Sequence, residues 1–151
     1  WGIRSFSNIA RAEETHMDAV AMILDRYDIE DPVASDTVGE FDSDALADLF
    51  DELVAAGKKS YDDALMVGAK VEELDIADLL NLLEITDNDD IRIVYQNLLK
   101  GSRNHLRSFD MQISRRNETY TPEFLSSDEY ERIASSPRET GSVVTDPDML
   151  F

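Results

Sequence analysis

Five side chains of this 151-residue sequence combine the types and spacing of a metal-binding site. Glu13 precedes His16 by three residues, and Glu72 precedes Asp75 by the same interval, so each pair would project from one face of a helix. His105 takes a position in a third segment where the apolar pattern calls for a hydrophobic residue. Buried carboxylates and imidazoles are costly unless they are paired or bind a metal. The sequence therefore predicts one shared site whose oxygen and nitrogen ligands suit iron, manganese or zinc.

Each of these positions also has an ordinary interpretation. A single core histidine is commonly just hydrogen-bonded, and an acidic residue beside another acid is often a surface group. Glu73 competes with Glu72, because a small rotation of the helix would exchange the two. Ser102 stands three residues before His105, where a second Glu-x-x-His pair would need a carboxylate. Tyr95 lies on the inward face of the same helix and is either a redox-active or hydrogen-bonding phenol of the site or an ordinary core tyrosine.

The elements that would position these groups are all predicted to be helices. Apolar residues recur at steps of three and four, and no run alternates in the manner of a strand. The pattern predicts helices over 5–27, 43–56, 60–85 and 90–115, with a shorter one over 127–134. An acidic connection spans 28–42, and 140–151 is predicted to be a loosely held tail. We therefore expect an all-α fold.

The composition narrows the classes of function. Acidic residues number 33 and basic residues 14, which gives a net charge of −19. A field of that sign attracts cations and disfavours nucleic acid and anionic lipid as partners. The absence of cysteine excludes disulfides, thiolate ligands and cysteine nucleophiles. No apolar run is long enough to predict a membrane-spanning segment, so we expect a soluble protein, either cytoplasmic or exported.

Three separated runs of this sequence resemble, in order, those of a prokaryotic ferritin-like family that is catalogued as a domain of unknown function. They are Ala12–Val20, Val67–Ile76 and Gly101–Arg107. The resemblance extends from about Phe6 to Leu125 and implies a ferritin-like four-helix bundle. It predicts a ferritin-like helical domain over 1–125 and a partly irregular C-terminal extension over 126–151.

The same resemblance, widened to rubrerythrins, implies roles for the five candidate ligands. Glu13 and His16 would match the Glu-x-x-His ligands of the second bundle helix. Glu72 would match the bridging carboxylate of the third helix, and Asp75 the extra carboxylate one turn later. His105 would match the last histidine ligand. The serine at position 102 departs from the glutamate that this family pattern carries, which places occupancy by two irons in doubt.

A comparison of the two halves of the predicted bundle suggests that its first helix is missing from this chain. Glu72 and His105 lie 33 positions apart, and the same spacing would place the partner of His16 before Trp1. The short helix over 43–56 carries no ligand and would be an extra element of the crossover. We expect an upstream helix with an inward glutamate, and an apolar groove along the first and third helices. A partner helix or a second copy of the chain would cover that groove.

Two functions remain open on the sequence alone. The first is a ferritin-like oxidoreductase of the ferroxidase or peroxidase type, in which one or two iron ions react with dioxygen or peroxide. The second is a metal-poor helical bundle that acts as an acidic interaction, assembly or structural module. Metal analysis of the purified protein would separate them.

Overall fold

The computed structural model of the protein describes residues 1–33, 35, 37–141 and 143–147. These residues form five helices and no strand: α1 (Arg4–Arg26), α2 (Asp44–Gly57), α3 (Tyr61–Ile85), α4 (Asp89–Arg115) and α5 (Ser127–Ser135). The all-α prediction is confirmed, and every predicted helix boundary lies within one residue of the observed one. Across the same residues, no helix combines the length and apolarity needed to cross a lipid bilayer.

The two long helices α3 and α4 pack along each other and contain most of the hydrophobic core. At Gly68 of α3 the two helices leave no room for a side chain, since an added Cβ would lie 2.4 Å from ring atoms of Phe109. A glycine is required at this position because Phe109 is itself only 2% exposed. Other buried side chains of the two helices include Leu65, Ala69, Ile76, Leu99, Leu106 and Ile113. The same two helices carry Glu72, Asp75 and His105.

The first helix is held much less deeply than α3 and α4. No residue of α1 is buried, although Phe6 packs on Phe109 with 5.4 Å between the ring centroids. Met17 and Val20 of α1 are 54% and 37% exposed, and Leu82 of α3 is 36% exposed. These apolar side chains belong to the two helices along which the sequence predicted an open groove. The partner that would cover these side chains and the upstream helix both stay predictions.

The segment after residue 139 differs from its prediction as a loosely held tail. Its described part lies against α4, and Val144 is buried there. The Val144 N–H donates to Oδ1 of Asn97 at 2.8 Å, and the Asn97 amide donates back to the Val144 carbonyl at 3.0 Å. A side-chain amide can pair with an extended backbone in this way, which a search for hydrophobic periodicity does not detect. Residues 148–151 of the predicted tail lie outside the described residues.

Candidate metal centre

Three predicted ligands from three different helices converge on one point. Glu13 comes from α1, Glu72 from the middle of α3 and His105 from α4. The Nδ1 atom of His105 lies 2.9 Å from Oε1 of Glu13 and 3.4 Å from Oε2 of Glu72. One donor atom from each residue lies within 4.8 Å of the other two. The helical periodicity thus places the three groups together as the sequence predicted.

The three facing atoms are buried without a well-formed hydrogen bond. Oε1 of Glu13, Oε2 of Glu72 and Nδ1 of His105 are all shielded from solvent, and none meets the geometry of a hydrogen bond within the described residues. The His105 nitrogen lies close to both carboxylate oxygens, but the angles between these groups do not suit a hydrogen bond. Leaving buried polar atoms in this state costs free energy, so such a cluster calls for an explanation. A cation held between two carboxylate oxygens and an imidazole nitrogen fits this donor set.

His16 lies on the other side of Glu13. Its Nδ1 atom is 2.8 Å from Oε2 of Glu13, and the His16 and His105 ring centroids are 6.0 Å apart. Each oxygen of the Glu13 carboxylate therefore faces a different histidine. The His16 ring fits because Gly101 of α4 has no side chain, since a Cβ there would lie 2.5 Å from Cε1 and Nε2 of the ring. In the sequence, Gly101 is a glycine inside a helix, where it lowers helix stability relative to alanine. A glycine kept at that cost indicates that a neighbouring group needs the space.

The electrostatics of the cluster are dominated by burial and by the two carboxylates facing His105. Burial raises the pKa of Glu72 to about 7, more than the nearby His105 can offset. Burial also opposes ionisation of Glu13, but its contacts with His105 and His16 outweigh burial and lower its pKa to about 2. For His105, the contacts with Glu13 and Glu72 overcome burial and raise the pKa to about 9. Once Glu72 ionises, the two carboxylates of Glu13 and Glu72 carry more negative charge than the single His105 imidazolium balances.

Asp75 and His16 lie beside the group of three rather than within it. Asp75 is half-buried on α3, and burial together with the charge of Glu13 raises its pKa to about 6. The charges of His16 and His105 act on Asp75 in the opposite direction. All five predicted ligands therefore share one region of the fold, with three of them in direct proximity.

The ambiguity between Glu72 and Glu73 is resolved by the fold. Glu73 has no exposed surface, and its carboxylate accepts bonds from the backbone N–H groups of residues 123, 124 and 125 at 2.7–3.0 Å. The hydroxyl of Tyr120 donates to the same carboxylate at 2.7 Å. These bonds outweigh burial and lower the pKa of Glu73. Glu73 thus anchors the 120–125 segment to α3, while Glu72 faces His105.

The other two singled-out residues are less closely tied to the cluster. Tyr95 is half-buried and packs against the hydrophobic core. Ser102 is buried, with 2% of its surface exposed. Neither belongs to the group of three donor residues. A role for Tyr95 in chemistry at the site stays a prediction.

Comparison with known proteins shows the family of the chain. The chain belongs to the family described as "Uncharacterized protein domain (DUF2202)", which matches residues 1–137.

The chain is similar to the "Uncharacterized protein MJ0754" of Methanocaldococcus jannaschii. The two are 49% identical over 141 residues, which is 93% of this chain and 76% of the relative. The fold is similar to the crystal structure of hypothetical protein MJ0754 from Methanococcus jannaschii, with a TM-score of 0.90 and 49% identity. That match covers 92% of this chain and 79% of the other.

Proposed function

We propose that this protein is a ferritin-like metal-binding protein whose site is formed by Glu13, Glu72 and His105, with His16 and Asp75 beside it. The observation that carries the proposal is the meeting of three buried donor atoms from three helices without hydrogen-bond geometry. A divalent cation would compensate their desolvation and link α1, the least buried of the three helices, to α3 and α4.

The chemistry of the donor set favours iron, with manganese and zinc as alternatives. Carboxylate oxygens and imidazole nitrogens without sulfur are typical ligands of all three metals. Glu13 would direct one oxygen toward each histidine, so that it could serve one ion or bridge two. Asp75 would add negative charge close to the three donors. The overall charge of −19 would raise the local concentration of cations.

Bound iron would supply oxidation chemistry with dioxygen or peroxide, which makes the protein an oxidoreductase in this proposal. The protein's own contribution is to fix the ligands and limit access of water. Glu72 has 4% of its side chain exposed and His105 has 14%, so both donors are largely shielded. Glu72 would give up its proton when a cation binds, because metal ions require the ionised carboxylate.

The alternative is a helical module that acts through its surface rather than through a metal. The exposed apolar side chains of α1 favour this alternative, because a helix without a buried residue leaves its face available to a partner. In that case the cluster around His105 would be a polar network inside the fold.

Iron titration of matched variants tests the proposal. Under nitrogen, ferrous iron is titrated into the chain by calorimetry, and retained iron is counted after desalting. We expect His105→Ala and Glu13→Gln to lose most of the retained iron. Glu14→Gln is the matched control, because Glu14 is exposed on the same helix as Glu13. Retention that is equal in the parent, both site variants and the control would refute the proposed site and favour the surface module.

A further inference from the structure

Two tyrosines outside the candidate metal centre form a buried pair whose rings are tilted against each other. Tyr120 and Tyr130 are 8% and 5% exposed, and their ring centroids are 5.4 Å apart with an angle of 31° between the planes. This separation lies within the range of direct aromatic contact. Tyr120 precedes α5 and Tyr130 lies within it, and their hydroxyls bond to Glu73 of α3 and Asp110 of α4, so the pair joins the segment after α4 to the α3–α4 core.

Each phenol of the pair is bonded to its own carboxylate. The Tyr120 hydroxyl donates to Oε2 of Glu73 at 2.7 Å, and the Tyr130 hydroxyl donates to Oδ1 of Asp110 at 2.9 Å. A phenol that loses an electron becomes a strong acid, so a hydrogen-bonded base at the hydroxyl makes its oxidation easier. The two tyrosines therefore have a ring contact for passing electrons and a separate proton acceptor for each ring.

The pair is connected to the candidate metal centre through α3. Glu73 accepts the Tyr120 hydroxyl, and the next residue back along the helix is Glu72, one of the three converging donors. The path from the Tyr120 ring to the centre thus needs one hydrogen bond and otherwise runs through covalent bonds.

We propose that Tyr120 and Tyr130 form a one-electron relay between a surface cleft and the metal centre, an inference that rests on the proposed function. After dioxygen or peroxide has oxidised the metal centre, Tyr120 gives one electron to that centre. The Tyr120 phenolic proton passes to Glu73, which leaves a neutral phenoxyl radical. Tyr130 then returns an electron to Tyr120 and passes its own proton to Asp110, while Glu73 returns its proton to Tyr120.

The cleft beside the pair is where the relay would be reduced again. It has a volume of about 510 Å³ and is lined by both tyrosines together with Asp110, Glu118 and Glu131. Three acidic residues disfavour an anion, so we assign the reductant to the class of uncharged or cationic organic one-electron donors. Such a donor supplies one electron to the Tyr130 radical, and the proton held by Asp110 returns to the Tyr130 oxygen.

The first test uses the metal-free chain and a light-driven oxidant. Because the sequence has no cysteine, Ser114→Cys in the cleft provides a single attachment site for a ruthenium polypyridyl complex. A laser flash with a quencher generates the oxidant, and transient absorption follows the phenoxyl radical. We expect a radical signal that falls in Tyr120→Phe/Tyr130→Phe to the background of the three remaining tyrosines. Asp110→Asn keeps both rings but removes the carboxylate that accepts the Tyr130 proton. We expect this variant to form the radical more slowly and to show a smaller rate difference between H₂O and D₂O than the parent.

Tyr27→Phe is the matched control, because Tyr27 also donates to a carboxylate, Asp90 at 2.8 Å, but is 40% exposed. Circular dichroism checks that each variant is folded. A radical yield that is the same in the parent and the double variant would overturn the relay without any reference to metal.

The second test uses iron-loaded chain treated with peroxide, rapid freezing and electron paramagnetic resonance. Ring-deuterated tyrosine identifies the radical by its narrowed hyperfine pattern. We expect a tyrosyl signal that is lost in the double variant and retained in Tyr27→Phe. A chain that binds no iron would refute the proposed function. A chain that binds iron and consumes peroxide with the same radical in parent and double variant would refute the relay alone.

Discussion

Replacing Glu72 by glutamine is expected to stabilise the metal-free chain at alkaline pH. Glu72 is only 3% exposed, and burial raises its pKa from 4.5 to about 7. Glutamine has nearly the same shape but carries no charge. The substitution therefore removes the cost of burying an ionised carboxylate that the His105 imidazolium, which also faces Glu13, offsets only in part.

The size and sign of the effect follow from linkage between protonation and folding. The unfolded chain releases the Glu72 proton near pH 4.5, whereas the folded chain holds it to about pH 7. The parent therefore loses stability as the pH rises through this window, and the loss is complete above it. Each pKa unit corresponds to ~1.4 kcal/mol, so the gain from glutamine is expected to be roughly 3 kcal/mol at pH 8 and close to zero at pH 4.

Urea unfolding at pH 4, 6 and 8 in the presence of a chelator measures this difference. Glu73→Gln is the matched control, because the neighbouring carboxylate accepts four hydrogen bonds that a single amide oxygen cannot replace. Bonds to a charged group contribute about 1.5–3 kcal/mol each, so we expect this variant to be destabilised at pH 8 by about 3 kcal/mol or more. Equal losses in both variants at pH 8 would refute the assignment of different roles to the two neighbours.

Three further predictions concern glycine positions and the exposed face of α1. Gly101→Ala is expected to displace the His16 ring and weaken iron binding in calorimetric titration. The free energy of unfolding of this variant should change little, because alanine gains about 0.5–1 kcal/mol over glycine in a helix and this gain offsets the cost of moving the ring. Unchanged iron affinity would contradict the role of Gly101. Gly68→Ala should lower stability in urea by about 1–3 kcal/mol, since Phe109 must move within the core, and full stability would contradict the observed helix spacing. Sedimentation should show self-association that Val20→Asp reduces; a monomer that binds no hydrophobic dye would exclude an open apolar face.

The sequence predicts the helices and the inward positions because both depend on one local regularity. A period of 3.6 residues fixes which side chains share a face, so Glu13, Glu72 and His105 could be assigned to inward positions before their neighbours were known. Three converging faces then bring the donors within 4.8 Å of one another. The apolar steps, together with the acidic first turns of α2, α3, α4 and α5, likewise indicate where these helices begin.

Features that depend on irregular segments could not be predicted in this way. Glu73 has its role because residues 123–125 direct three N–H groups at it, and nothing in the local pattern of α3 carries that information. The pairing of Asn97 with Val144 joins residues 47 positions apart and has no periodicity. The contact between the Tyr120 and Tyr130 rings arises in the same manner, from the path of the chain after α4.

Anomalous X-ray diffraction from crystals of iron-loaded protein tests the central claim most directly. Data collected above and below the iron absorption edge locate the metal without reference to activity. We expect an anomalous peak between the three helices, beside Oε1 of Glu13, Oε2 of Glu72 and Nδ1 of His105, with a second peak near His16 if two ions bind. Anomalous density that is absent from this position, in protein that retains its fold after iron loading, would contradict the proposed site.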